Sequence, residues 1–230
     1  MKPKEKLPRR NAFFFSWTNW FWRGLALAIV LSPRPSPGEE NPVLVGQWPE
    51  YVIGFVRDIF VTNHLAFMRT GSGLLILDVS NLANPVPVGR YATTGSALSV
   101  VGNYAYLAGG AGLEVIDVSN PTNPVRVGGC DTSGIAADLA VAGSYAYVVG
   151  REVGLEIIDV SNPAKPVRVG GYDTSGSAMD VAVAGTFAYL AAYDAGLEVI
   201  DVSNPASPVR VGGYDTSGES FGVTVAGDYA

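Results

Sequence analysis

Cysteine and histidine are nearly missing from this chain of 230 residues: Cys130 and His64 are the only examples of each. A lone cysteine excludes an intrachain disulfide, and one cysteine with one histidine cannot build a Cys/His metal cluster. At this length a large core forms without disulfide staples, so their absence does not fix the compartment. The body also lacks any sustained helical period. Charged residues are few, 16% of the chain, and unevenly placed. Residues 1–38 hold seven bases (Lys2, Lys4, Lys6, Arg9, Arg10, Arg23, Arg34) and one acid, Glu5. Residues 39–230 hold 8 bases and 20 acids, a net of −12. So acidic a body repels phosphate backbones, which argues against nucleic acid as a partner.

The N-terminus has the pattern of an export segment. A basic stretch at 1–10 precedes an aromatic-rich run, Phe13-Phe14-Phe15-Ser16-Trp17-Thr18-Asn19-Trp20-Phe21-Trp22, then Arg23 and a short apolar run at 24–31. That run has the length of a signal-peptide apolar region. Residues 11–31 are nearly long enough to span a bilayer, although Arg23 would be costly at its centre. Residues 1–31 are therefore expected to be a signal peptide or an N-terminal membrane anchor. Either leaves the body exported, at the cell surface or outside the cell, with membrane contact only through this segment. No small-x-small cleavage site stands out, and no cysteine follows the run to carry a bacterial-type lipid anchor. Residues 32–41 form a Pro-rich, extended linker.

What the body has in abundance is repetition. Gly196-Leu197-Glu198-Val199-Ile200-Asp201-Val202-Ser203-Asn204-Pro205 recurs at 154–163 and 112–121, with a degenerate copy at 73–81. Its aspartates, Asp78, Asp117, Asp159 and Asp201, lie 39, 42 and 42 residues apart. Around each copy lie four short runs rich in strand formers, bounded by Gly, Asn, Pro or Asp. Four strands per unit of this length is the pattern of a propeller blade. The fold class is all-β, a β-propeller of four-stranded blades. The first, small-residue strand is expected nearest the axis and the Pro-led fourth at the rim. The units run over 42–230: an outer strand at 42–46, four complete blades, and a fifth begun at 222–230. A stop inside a strand reads as a fragment of a longer, closed propeller.

These copies resemble the LVIVD repeat family, over about residues 42–230. The resemblance implies a bacterial or archaeal cell-surface or secreted β-propeller and brings no catalytic residues. The first blade departs most, with Leu75 where later copies have Glu and Leu82 where they have Pro.

Most polar residues that stand out recur in every blade, which points to structure. Asp, Ser and Asn of the Asp-Val-Ser-Asn phrase bond local backbone amides in turns, so they are expected as a turn device and not as cation ligands. The Asp-Thr-Ser-Gly copies at Asp131, Asp173 and Asp215 lie between blades, too far apart for an aspartic-protease pair. Glu114, Glu156 and Glu198 in third strands should meet Arg126, Arg168 and Arg210 in fourth strands. Leu75 and Pro87 replace both partners in the first blade. Such a pair contributes about 0–1 kcal/mol if exposed. Cys130 occupies a slot held elsewhere by Trp48, Tyr91, Tyr172 and Tyr214, so it reads as a core substitute. His64 reads as a solvated turn residue.

The copies disagree in the loop between second and third strands and in the approach to the first strand. In a propeller these loops share one face, the layout of a binding surface. Arg69, Arg151, Glu152, Tyr193 and Asp194 are the expected contacts there, with no metal and no cofactor. The functional expectation is a non-catalytic interaction or scaffold module, its partner a protein or carbohydrate at the cell surface. One alternative is a hydrolase or lyase acting on polysaccharide, built on Asp58, Asp138 and Asp180 at the starts of first strands. It requires those carboxylates to converge, strongly perturbed, in a deep pocket. A second alternative is a purely structural spacer.

Overall fold

The computed structural model describes residues 56–230 apart from 111 and 228. The N-terminal segment, the linker and the outer strand expected at 42–46 lie outside the described residues. The described chain forms four antiparallel sheets of four strands, each a meander in chain order. The first comprises β1 (Asp58–Thr62), β2 (Leu65–Thr70), β3 (Gly73–Asp78) and β4 (Val86–Ala92). The second comprises β5 (Gly95–Val101), β6 (Tyr104–Gly109), β7 (Gly112–Asp117) and β8 (Val125–Cys130). The third comprises β9 (Asp138–Ala142), β10 (Tyr145–Gly150), β11 (Gly154–Asp159) and β12 (Val167–Tyr172). The fourth comprises β13 (Asp180–Ala184), β14 (Phe187–Ala191), β15 (Leu197–Asp201) and β16 (Val209–Tyr214). These are the four expected blades. Among the described residues no helix is long and apolar enough to cross a membrane.

The core lies between blades. Tyr147, Val149, Leu155 and Ile157 of the third blade bury against Ala178, Val181, Leu190 and Ile200 of the fourth. Equivalent clusters join the second blade to the third and the first to the second. In the second and third blades, the second and third strands have neighbouring blades on both faces and are buried nearly throughout, as in β11. First strands of successive blades touch one another, which puts them innermost as their small residues predict.

The repeated phrase closes each third strand with a fixed turn. Asp78, Asp117, Asp159 and Asp201 each accept a 2.8 Å hydrogen bond from the serine amide two residues on. Asn81, Asn120, Asn162 and Asn204 do the same for the next turn. The hydroxyl and then the amide of Ser119, Ser161 and Ser203 hold Asp117, Asp159 and Asp201 below the usual carboxylate range, and the amide and then the hydroxyl of Ser80 do so for Asp78. The turn also locks onto the preceding blade. A Cβ on Gly128 would lie 2.1 Å from the Pro163 carbonyl oxygen, and one on Gly170 2.0 Å from that of Pro205. Only glycine lets the next blade's turn approach so closely.

Where the fifth blade was expected to begin, the described residues of 222–230 form an isolated bridge between Ala226 and Tyr229 and no strand of a sheet. A strand with no described neighbour to complete its ladder has no partner for its backbone groups.

Candidate functional site

The repeated charges form the expected cross-strand pairs, and their glutamates are enclosed while their arginines stay about half exposed. Arg168 Nε lies 3.2 Å from Glu156 Oε1, with the Glu side chain 0% and the Arg side chain 50% exposed. Arg210 and Glu198 repeat the arrangement at 3.5 Å, and Arg126 and Glu114 at 3.2 Å with Glu114 less enclosed. A bulge in each third-to-fourth ladder makes the contact. Ile157 opposes Gly170 but Ile158 opposes Arg168, so Val169 is the extra residue. In a regular ladder Arg168 would oppose Asp159 and point to the other face, because side chains alternate. The bulge turns it to the Glu156 side. Gly171 completes the device: a Cβ there would lie 3.1 Å from an Arg168 terminal nitrogen, and at Gly129 the corresponding distance to Arg126 is 2.4 Å. The first blade has Leu75, Pro87 and Arg90 in these three places, so the change is a matched set.

The Glu also anchors the preceding inter-blade turn, which explains the Asp-Thr-Ser-Gly phrase. Glu156 Oε1 accepts the Ser133 amide at 3.1 Å and also the Ser133 hydroxyl. Glu198 takes the Ser175 amide at 3.3 Å, and Glu114 takes the Thr93 hydroxyl. The Thr of each phrase bonds the carbonyl of its Gly, as Thr174 to Gly176 at 2.6 Å. Cys130 sits half-buried in the seam. Burial, then Glu156, then Asp131 push its thiol up, the opposite of what a nucleophile needs. His64 is exposed at the β1–β2 turn.

The first-strand aspartates make a second set of links, around the axis. Asp138 Oδ2 accepts the Val181 amide of the next blade at 3.1 Å. Asp180 Oδ2 accepts the Val223 amide at 2.7 Å. The Leu98 backbone amide acts on Asp58, lowering it against the effect of burial. The second blade has Ala97 in the slot, and its link is made by Ser96 Oγ, which donates to the Ala136 carbonyl at 2.5 Å. Two of these carboxyls converge: Asp180 Oδ1 also accepts the Val181 amide, at 3.0 Å. Asp138 is raised to about 8, by burial first and then by the hydrogen bond and charge of Asp180. Burial raises Asp58 as well, against the pull of Arg69. Two features that the catalytic alternative required are thus present, convergence of Asp138 with Asp180 and perturbation at Asp138. Asp138 Oδ2 is already committed to the Val181 amide of the following blade and Asp180 Oδ2 to the Val223 amide of the following repeat, which is a use in holding repeats together.

The five expected contacts separate into two groups. Arg69 lies in strand β2, half-buried, and its Nε donates to the Gly95 carbonyl of the next blade at 2.7 Å. It acts in a seam beside Asp58. Arg151 and Glu152 are exposed in the β10–β11 turn, and Tyr193 and Asp194 occupy the equivalent loop of the fourth blade. Arg151 and Asp194 both act electrostatically on the Tyr193 phenol, whose strongest perturbation is the raising effect of its hydrogen bond to Glu219. Tyr193 holds a left-handed backbone, φ 50°, that a bulky residue rarely adopts. Ser220 supports it, donating its amide to the Tyr193 carbonyl at 2.9 Å and its hydroxyl to the Gly196 carbonyl at 2.9 Å. Phe221, 60% exposed, meets the Tyr193 ring edge-on at a centroid distance of 5.5 Å. Glu219 and Phe221 were visible only as part of a variable approach loop. Their contact with Tyr193 spans 26 or more residues, which local spacing does not reveal.

Comparison with solved structures gives the same architecture at low identity. The computationally designed Ika8 protein matches with a TM-score of 0.56 and 11% identity, covering 75% of this chain and 53% of that one. Hsv2p of Kluyveromyces lactis matches with a TM-score of 0.52 and 14% identity, covering 66% of this chain and 51% of that one. The chain spans about half the length of the solved structures it matches. No curated protein matches it. The LVIVD repeat matches four times in succession, at residues 53–93, 95–132, 133–174 and 175–216, one match per blade. By this match over most of its length, and by the blade that each copy builds, the chain belongs to the LVIVD repeat family.

Proposed function

We propose that the chain is an exported, non-catalytic interaction module that binds a carbohydrate or protein at the cell surface through one loop face of its propeller. The observation that carries this reading is the Tyr193 cluster. An aromatic residue is held in an unfavourable backbone conformation, with Phe221 exposed against it and Glu219 on its hydroxyl. Backbone strain persists where the surroundings enforce it, and it gathers at ligand-binding positions. An exposed Phe221 and a partly exposed Tyr193 beside carboxylates and an arginine suit the apolar faces and hydroxyls of a sugar, or an aromatic and charged side chain of a protein. Arg151, Glu152 and Asp194 border the cluster and complete the surface. Arg69 is not part of it, because its guanidinium serves the first seam. Export rests on the N-terminal pattern of a basic stretch followed by an apolar run.

The test is a glycan array and a panel of purified surface proteins, probed with the 230-residue chain and with Tyr193→Ala and Phe221→Ala. A ligand bound by the parent and lost by both variants, with thermal stability unchanged, is the expected result. Absence of any ligand, or equal binding by all three, would overturn the reading. Turnover of a polysaccharide that is abolished by Asp138→Asn would favour the enzyme.

A further inference from the structure

We propose that Asp138 and Asp180 share one proton that seals the seam between the third and fourth blades, and that losing it as the medium becomes alkaline loosens this seam. The geometry is the argument. Asp138 Oδ2 and Asp180 Oδ1 lie 3.1 and 3.0 Å from the same donor, the Val181 amide nitrogen. A single N–H points one way, so both oxygens sit on one side of that nitrogen, in contact range of each other. Two ionised carboxylates cannot occupy such a place without strong repulsion, whereas a carboxylic acid beside a carboxylate makes a hydrogen bond. One proton converts the conflict into a link.

The surroundings supply little to replace that proton. The charged group facing Asp138 is Asp180, and the partners that favour its ionised form are the Val181 and Leu139 amides. Asp180 Oδ2 is occupied by the Val223 amide. Asp58, on the innermost strand of the first blade, is close enough to feel the Asp180 charge, and the two nearby cations, Arg57 and Arg69, act on Asp58. Cations therefore compensate the first blade's carboxylate and not the shared pair. The seam between the second and third blades has no such pair: Ala97 replaces the aspartate, and Ser96 makes a neutral link there. The pair thus makes one seam, the one beneath the Tyr193 loop's own blade, sensitive to protons while its neighbour is not.

The sign follows from linkage. Asp138 is raised in the folded chain from 3.8 to about 8. The folded state therefore binds more protons than the unfolded one between those values, and stability falls as pH rises through that window. The contribution is fully present below the unfolded value and is lost as pH climbs to the folded one. For one proton, the unfolding equilibrium constant grows close to tenfold per pH unit in the middle of the window.

The experiment is urea unfolding of the 230-residue chain at pH 5, 6, 7 and 8, together with Asp138→Asn, in which the amide accepts the Val181 N–H and donates to Asp180 without a shared proton. The parent is expected to lose stability at close to tenfold in the unfolding constant per unit, and Asp138→Asn to flatten that slope and to exceed the parent at pH 8. A parental slope retained in Asp138→Asn overturns the proposal. If that variant does not fold, carbon-13 carboxyl titration of the parent decides: one aspartate still protonated at pH 6.5 supports the shared proton. Full ionisation of every aspartate below pH 5 refutes it.

Discussion

Removing the arginine of a buried Glu–Arg pair should cost much more in the third blade than in the second. In the parent, Glu156 is 0% exposed, and its Oε1 receives Arg168 and the Ser133 amide while its Oε2 has no protein partner. Arg168→Ala leaves that carboxylate in the seam with a serine alone. Breaking a fully buried pair costs about 3–5 kcal/mol. Arg168 itself is half exposed, so water reaches part of the vacated space, and we expect about 2–3 kcal/mol. Arg126→Ala is the internal control. Glu114 keeps a 19% exposed side chain and holds the Thr93 hydroxyl on its second oxygen, so about 0.5–1 kcal/mol should be lost. The first blade supplies the rescue. Copying its set as Glu156→Leu, Arg168→Pro and Gly171→Arg, after Leu75, Pro87 and Arg90, should recover most of the loss from Arg168→Ala. Urea unfolding with an unchanged m-value is the assay. Equal, small losses in Arg168→Ala and Arg126→Ala would refute the claim that burial of the glutamate sets the cost.

Other outcomes follow from the same contacts. Gly170→Ala should lose about 1–3 kcal/mol, since its Cβ would meet the Pro205 carbonyl oxygen at 2.0 Å, while Gly212→Ala, whose only near atom among the described residues is Val199 Cβ at 3.9 Å, should change the urea midpoint little. Ser96→Ala removes the hydroxyl link to Ala136 and should cost about 1 kcal/mol in unfolding, with faster amide exchange along β9 than along β13. Tyr193→Gly relieves the left-handed backbone at φ 50°, so thermal stability should hold or rise while ligand binding is lost.

The blades were legible in the sequence because each strand is a local pattern and each turn a local chemistry. Each run and each Asp-Val-Ser-Asn turn is set within a few residues, the repeat copies them at a near-constant period, and the structure returns them at the expected places. The Glu–Arg pairing was legible too, through the joint loss of both partners in the first blade. Its burial was not, because the bulge that redirects Arg168 and the Gly171 that makes room for it depend on register, and enclosure depends on the neighbouring blade. The seams were least legible. Asp138 to Val181 and Asp180 to Val223 each span 43 residues, so an aspartate that begins a strand looks like a turn former when its real partner is one repeat away. The seam contact of Arg69 was hidden for the same reason, its acceptor Gly95 being on the next blade. The fifth unit shows the converse: the strand pattern at 222–230 is present, yet no sheet forms around it among the described residues.

A division of labour is central here: residues repeated in most blades hold the seams, and the proposed partner meets residues that differ between blades. The most direct measurement is ligand binding on the glycan and protein panels by Phe221→Ala and Arg168→Ala, each compared with the parent at a temperature where all three are folded. The account predicts that Phe221→Ala loses binding at unchanged stability, and that Arg168→Ala keeps parental affinity despite its lower unfolding midpoint. Affinity lost in Arg168→Ala and retained in Phe221→Ala would contradict it.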